Sequence, residues 1–345
     1  MRPQVAAFEA RRGHILKDLY QWIALFILLW VIAQTDTRFI PKEWVGLFEW
    51  LLKPITLYVF LLILWATLRI FAYKNDVKEY TLAEVLRFLG HGWMYKPDGL
   101  YPNIVHDFLH IASEKKMVAG VMAATKRLAN EFKNTVDGQN SSAIQPYVKF
   151  GIIPHYSVNG RTYDYVHGEY KQAPISFFKY VVWEGSARTK FYELVVCITM
   201  PKPFTGHTII TRDYGMLGNW VNSKLMLNKL KPVTLEDPQF EKQHEVSSTD
   251  PLDARDLLSP NFTERLLMLE ESFKASDILF PNFTLQYAFK EGQLLLTIPT
   301  TKAWLSISSI KRTVDFIPEI NRMLKDLDQL FAVIDILKLD DKSGF

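Results

Sequence analysis

Two long uncharged runs near the start of the chain constrain its fold more than any other feature. The first, Leu19 to Ala33, has Gln21 as its one polar interruption; the second, Ile55 to Leu68, continues past Arg69 into Ile70 and Tyr73. A helix needs about 20 apolar residues to cross a hydrocarbon core, and here Gln34, Thr35 and the aliphatic stem of Arg69 extend the two runs toward that length. Residues 19–73 are therefore predicted to form a two-helix transmembrane hairpin. A cleaved signal peptide is disfavoured, because the apolar stretch is long for a signal core and Gln34-Thr35-Asp36 lacks the small residues a signal peptidase reads.

Positive charge orients the pair. Arg2, Arg11, Arg12 and Lys17 precede the first run and Arg69, Lys74 and Lys78 follow the second, whereas Arg38, Lys42 and Lys53 between them are offset by Asp36, Glu43 and Glu49. Both termini are thus predicted to be cytoplasmic. Between the runs, Trp44, Leu47, Phe48, Leu51 and Leu52 recur at helical spacing, as in a helix lying in the membrane interface and meeting the second span at Pro54.

Four regions follow: a basic cytoplasmic lead (1–18), the hairpin with its interfacial helix (19–73), a juxtamembrane helical region (74–138), and an α+β cytoplasmic domain with a C-terminal amphipathic helix (139–345). In the third, Thr81-Leu82-Ala83-Glu84 reads as a capping box that starts a helix. A longer helix is predicted over about 103–134, with Lys115, Lys116, Lys126 and Arg127 on a basic face that suits contact with anionic lipid. In the fourth, Asn159-Gly160 between β-prone runs signals a hairpin, an extended stretch runs from Gly168 through Trp183, Phe191 to Met200 is a buried strand, and Lys290-Glu291-Gly292 joins a second hairpin. Asp250-Pro251 and Ser259-Pro260 mark helix starts. Ile320, Met323, Leu327, Leu330, Ile334 and Leu337 form a seam on a final helix, short enough to favour packing on its own domain. The expected fold class is α+β: the transmembrane hairpin, then a cytoplasmic domain of antiparallel sheet with flanking helices.

The 345 residues carry a net charge of only +3, which argues against nucleic acid as a partner. The single cysteine, Cys197, excludes an intramolecular disulfide and, set among Leu194-Val195-Val196 and Ile198, reads as a buried structural thiol. His106 and His110 share one helix face at the spacing of metal ligands, but aspartate follows His106 where a zinc-protease helix has glutamate, so they are weak candidates and no metal or other cofactor is expected. His207 and His244 could join that pair only through folding, since nothing in the sequence brings them there, and Asp250, Asp253, Arg255 and Asp256 are accounted for by helix capping and an exposed ion pair. Tyr163, Tyr165, Tyr170 and Trp183 belong to an aromatic-rich β region that is a candidate binding patch.

Tyr163-Asp164 to Gly168, Phe204-Thr205-Gly206, Val233 to Lys242, and Asp250 to Pro260 followed by Phe262-Thr263-Glu264-Arg265 together resemble a bacterial family, domain of unknown function family 3137, over roughly residues 140–310. Gln243 to Ser247 depart from it, being more polar than the family pattern. The resemblance implies a bacterial inner-membrane protein, two-pass, with a cytoplasmic α+β domain. It implies no reaction and no catalytic residue. The expected function is a membrane-anchored scaffold or binding module that recognises a protein or lipid partner, the bilayer and a protein partner or second copy being its contacts. A membrane-tethered metal-dependent hydrolase and an accessory subunit of a larger membrane complex are the alternatives.

Overall fold

The structure, a computed structural model, describes residues 2–34, 42–90, 92–96, 145–153, 161–184, 189–202, 204–211, 230–275, 284–300, 304–306 and 316–339. It divides into two compact units. Asn159-Gly160 and the predicted helix over 103–134 lie outside the described residues.

The first unit is built on α1 (Arg2–Gln34) and most of α2 (Lys42–Leu89). Pro54 lies inside α2, which continues through it although proline supplies no N–H to the preceding turn. Ion pairs Arg11–Asp76 (2.5 Å) and Asp18–Arg69 (2.8 Å) run the two helices antiparallel, and both pairs obey one register because seven residues separate the partners on each helix. The Phe8 ring lies 6.1 Å from Tyr73 and 5.8 Å from Tyr80, and Ile15, Tyr73 and Val77 are buried between the helices. The helix start predicted at Thr81 is not there. Thr81 lies within α2 and its hydroxyl donates back to the Val77 carbonyl at 2.7 Å, so its capping chemistry is spent inside a continuing helix. The basic lead is likewise the first half of α1.

The second unit is a nine-stranded antiparallel sheet of order β1-β2-β3-β4-β9-β8-β5-β7-β6. Its strands are β1 (Met94–Lys96), β2 (Arg161–Tyr170), β3 (Ala173–Glu184), β4 (Thr189–Thr199), β5 (Thr208–Thr211), β6 (Lys231–Pro232), β7 (Glu245–Ser248), β8 (Gln286–Lys290) and β9 (Gln293–Thr300). The extended stretch predicted from Gly168 through Trp183 is two strands. Lys171 and Gln172, at φ 47° and 67°, turn β2 into β3, and Glu291-Gly292, at φ 53° and 71°, turn β8 into β9, both in the left-handed pair of conformations that matches strand twist.

Register divides the side chains between two faces. Val166, Phe177, Val196, Leu296 and Tyr287 share one face across β2, β3, β4, β9 and β8. There α6 (Pro260–Ala275) sets Phe262 against Phe289, and α7 (Phe316–Leu337) stacks Phe331 on Tyr170 at 4.3 Å. Phe178, Val195, Cys197 and Leu295 share the other face with Phe150, Ile152 and Ile153, which follow the short helix α3 (Gln145–Val148). With both faces covered, Leu294, Leu295, Leu296 and Ile298 are all fully buried. On α7, Met323, Leu327, Leu330, Ile334 and Leu337 are fully buried as well, so its seam packs within the chain. Three short helices complete the unit: α4 (Pro238–Glu241), α5 (Pro251–Leu257) and α3. Asp250 caps α5 by accepting from the N–H groups of Leu252 and Asp253, with Pro251 at its first position.

Gly168 is where the Trp93 ring lies on the sheet, and a Cβ there would come within 2.3 Å of ring carbons. Gly168→Ala is expected to cost about 1–3 kcal/mol by overpacking. Gly13 on α1 has nothing within 4 Å of such a Cβ, so Gly13→Ala is expected to stabilise by up to about 1 kcal/mol through helix propensity. Denaturation midpoints of the two variants should therefore move in opposite directions.

Candidate functional site

A chemically distinctive surface lies on α1 and α2. Both contain a stretch long and apolar enough to cross a membrane. On α1 the half-buried or buried positions Val5, Phe8, Arg12, Ile15, Leu19, Trp22, Phe26 and Leu29 recur at alternating spacings of three and four, a single seam along the helix. The outer surface changes along the same helix. Tyr20, Ile23, Ile27, Leu28, Trp30 and Val31 are exposed on α1, and Ile55, Leu57, Tyr58, Phe60, Leu61 and Leu64 on α2. Leaving such a side chain in water forgoes about 1.5–3 kcal/mol each.

Among the described residues, those singled out from sequence are not gathered at one place. His106, His110, Lys115, Lys116, Lys126 and Arg127 lie outside the described residues. Tyr163, Tyr165 and Tyr170 are on β2 and Trp183 is on β3. Tyr165 is half-buried against Phe178, and Tyr170, besides stacking on Phe331, donates its hydroxyl to Asp335 at 3.2 Å. Both rings thus take part in packing within the domain.

His207 and the acidic set are brought together by backbone contacts. The His207 N–H donates to the Thr249 hydroxyl and its carbonyl accepts from the Thr249 N–H at 3.0 Å, while Asp253 accepts the Gly206 N–H at 2.8 Å. The His207 ring bonds the Phe150 carbonyl at 2.9 Å, and burial pushes its pKa below the usual imidazole range. Asp256 pairs with Lys202. Each group has a structural partner, and no cluster of three potential metal ligands occurs among the described residues.

Three further polar groups stand out in the domain: Asp164 and Glu193, unmarked in sequence, and His244, expected only as a possible partner of the histidine pair. Asp164, at φ 58°, occupies a break in the β2–β3 register between Tyr163 and Val166, where it pairs with Lys179 and accepts the Tyr95 hydroxyl at 3.0 Å. Lys179 also donates to the Trp304 carbonyl at 3.0 Å, and the Leu305 N–H donates to Asp326 of α7 at 2.9 Å. These links tie β1, β2, β3, the turn at Trp304 and α7 together. Aspartate tolerates the left-handed conformation that such a bulge demands, the one local signal for it in the sequence.

The second group is His244, which stacks on Phe240 at 4.4 Å and reaches Glu270 of α6 at 3.1 Å, with both side chains essentially without solvent contact. Burial alone would raise the Glu270 pKa; the His244 hydrogen bond and the charges of His244 and Lys274 outweigh it and hold the carboxyl below its ordinary value. The third is Glu193, which faces Tyr180 across β3 and β4. Its Oε2 is shielded from solvent without a hydrogen-bond partner among the described residues, and burial raises its pKa to about 7. Cys197, four residues on, is buried, and burial lifts its thiol to about 12, outside the range of a nucleophile at neutral pH.

Residues 189–339, from the start of β4 to just past α7, match the model of the family described as "Protein of unknown function (DUF3137)". The family resemblance therefore holds. The match begins later than the resemblance read from sequence and extends further, taking in α7 while leaving α1, α2 and β2 outside. His244, Glu270 and Glu193 all fall within it. No curated protein and no solved structure matches the chain.

The two glutamates give opposite pH responses. Glu270, with its pKa depressed in the fold, contributes stability that is present above the unfolded value near 4.5 and is lost as pH falls below it. Glu193, with its pKa raised, costs stability as pH rises from 4.5 toward 7. Glu193→Gln should flatten the decline between those values, whereas Glu270→Gln should remove the acid limb and destabilise at neutral pH by about 1–3 kcal/mol, because it takes the carboxylate acceptor away from the buried His244 ring. Urea midpoints measured across pH distinguish the two.

Proposed function

We propose that this chain is a two-pass protein of a bacterial inner membrane, anchored by α1 and α2 with both termini cytoplasmic, and that its α+β domain serves as a scaffold or binding module for a protein or lipid partner. The observation that carries the anchor is the uncovered apolar surface on residues 20–31 and 55–64, six large side chains on each helix, which lipid tails would cover. The orientation rests on the basic residues that flank the paired ends of α1 and α2.

The binding-module half of the proposal rests on how the polar groups of the domain are used. Asp164, Lys179, His207, Asp250 and Asp253 are each engaged in holding strands, turns or helix ends together. Polar groups held in this way stiffen the domain, and rigid platforms suit recognition by surface. In this reading the partner is met at the bilayer, where a tethered domain gains effective concentration toward another membrane component.

Cross-linking in intact membranes followed by purification in mild detergent tests the partner. The expected result is a defined complex larger than one chain, containing a second protein in fixed proportion. Recovery of single chains alone, with no second protein or specific lipid retained, would overturn the binding-module reading while leaving the anchor intact.

A further inference from the structure

The paired helices share one interior and have two exteriors. Along α1 the inward seam of threes and fours runs without a break from Val5 to Leu29. On α2, Val59, Ala66 and Tyr73 are buried at intervals of seven, and Val77 follows. Outside, the large exposed apolar side chains run from Tyr20 to Val31 on α1 and from Ile55 to Leu64 on α2; among the described residues none is found on 4–19 or 65–81, and the next on α2 is Phe88, near its C-terminal end. On those segments the outer positions are small or polar, such as Ala7, Ala10, His14 and Lys17.

The change falls at one level. Because Asp18 pairs with Arg69 and Arg11 with Asp76, position 18 on α1 is level with 69 on α2. Lys17, Tyr20, Trp65 and Arg69 therefore lie within a slab of roughly 8 Å along the helix axes, taking 1.5 Å per residue. The Arg69 guanidinium sits 4.5 Å over the Trp65 ring and bonds Asp18, while Tyr20 is exposed beside it. Amphipathic rings and cations with long apolar stems are the side chains that favour the headgroup layer. Farther from the apolar band, Ile15, Tyr73 and Val77 are buried with Val5, Phe8, Leu16, Ile70 and Tyr80 of the pair and Ile320 of α7 packed around them, so apolar surface there is covered by protein.

We infer that Lys17, Tyr20, Trp65 and Arg69 form the contact of the anchor with phospholipid headgroups, and that α1 and α2 continue beyond this ring, out of the membrane, as an antiparallel stalk whose α1 side faces water. This rests on the anchoring proposal and deepens it. The stalk formed by residues 2–17 and their partners on α2 is about 25 Å long. The ion pair Arg11–Asp76 stands midway along it, at a level where water keeps both charges solvated, and Asp18–Arg69 stands at its base. The bilayer is selected as the occupant because the ring separates an apolar band from a polar exterior around both helices at once.

The test uses the full chain reconstituted in phosphatidylcholine–phosphatidylglycerol vesicles, with single spin-labelled cysteines at outward positions 7, 10, 14, 20, 23, 27 and 31 of α1 and at 57, 61, 64 and 79 of α2. Native Cys197 is buried and is left in place. Collision with a water-soluble nickel chelate is expected to dominate at 7, 10, 14 and 79, collision with oxygen at 23, 27, 31, 57, 61 and 64, and the crossover is expected near position 20. A second measurement uses Lys17→Leu combined with Asp18→Leu and Arg69→Leu, which should move the crossover by about one helical turn toward residue 14. Oxygen-dominated labels at 10 and 14 in the parent chain, or a crossover unmoved by the triple change, would overturn the headgroup ring while the anchor stands. Nickel access at 23, 27 and 31 would overturn the ring and the anchor together.

Discussion

Two helices with a common apolar seam and an uncovered apolar exterior set the terms on which this chain can exist. The seam satisfies the inward side chains of α1 and α2 by mutual burial, and the ion pairs Asp18–Arg69 and Arg11–Asp76 fix its register. The exterior from Tyr20 to Val31 and from Ile55 to Leu64 is not satisfied by protein. Hydrocarbon is the solvent in which such a surface costs nothing, and helices are the structure whose backbone groups are paired internally in that solvent. The anchoring proposal follows from this mismatch between interior and exterior more than from hydropathy alone.

The sheet unit solves a different packing problem. Its central strands β3, β4 and β9 are buried on both sides, so they need cover twice: α6 and α7 on one face, the segment around Phe150 on the other. The pairing of β4 with β9 brings together residues about a hundred apart in the chain, and everything between them must return to the same sheet. Buried polar links close this arrangement. Asp164 and Lys179 join the strands near β1 to the turn at Trp304, and His244 with Glu270 joins the β7 side to α6. Because the family match spans β4 to α7, it covers the six strands β4 to β9, the part of the sheet that holds the His244–Glu270 contact and Glu193.

Much of this was legible in sequence, and the failures have physical causes. The apolar runs, the Asp250-Pro251 cap, the start of α6 at Pro260, the β8–β9 hairpin at Glu291-Gly292 and the seam of α7 are all encoded by local chemistry, and the structure has each of them. Thr81 misled because a capping residue is read from its neighbours, whereas the neighbours of this threonine belong to a helix already stabilised from across the pair, with Arg11 on Asp76 and Phe8 on Tyr73 and Tyr80. The turn at Lys171-Gln172 carries neither glycine nor asparagine, so its positive φ values are imposed by the strands it joins. Asp164 and His244 owe their contacts to residues brought near only by folding. As for the candidate site, Tyr165 and Tyr170 lie on β2, and their partners Phe178 and Phe331 could not be named without the fold.

The stability of the association between α1, α2 and lipid is the most direct test of the account. Membranes containing the full-length chain are washed with alkaline carbonate, which strips peripheral proteins and leaves integral ones. Retention of the chain in the membrane pellet, with release only on adding detergent, is the predicted result; quantitative release into the carbonate supernatant as a folded, unaggregated protein would contradict it.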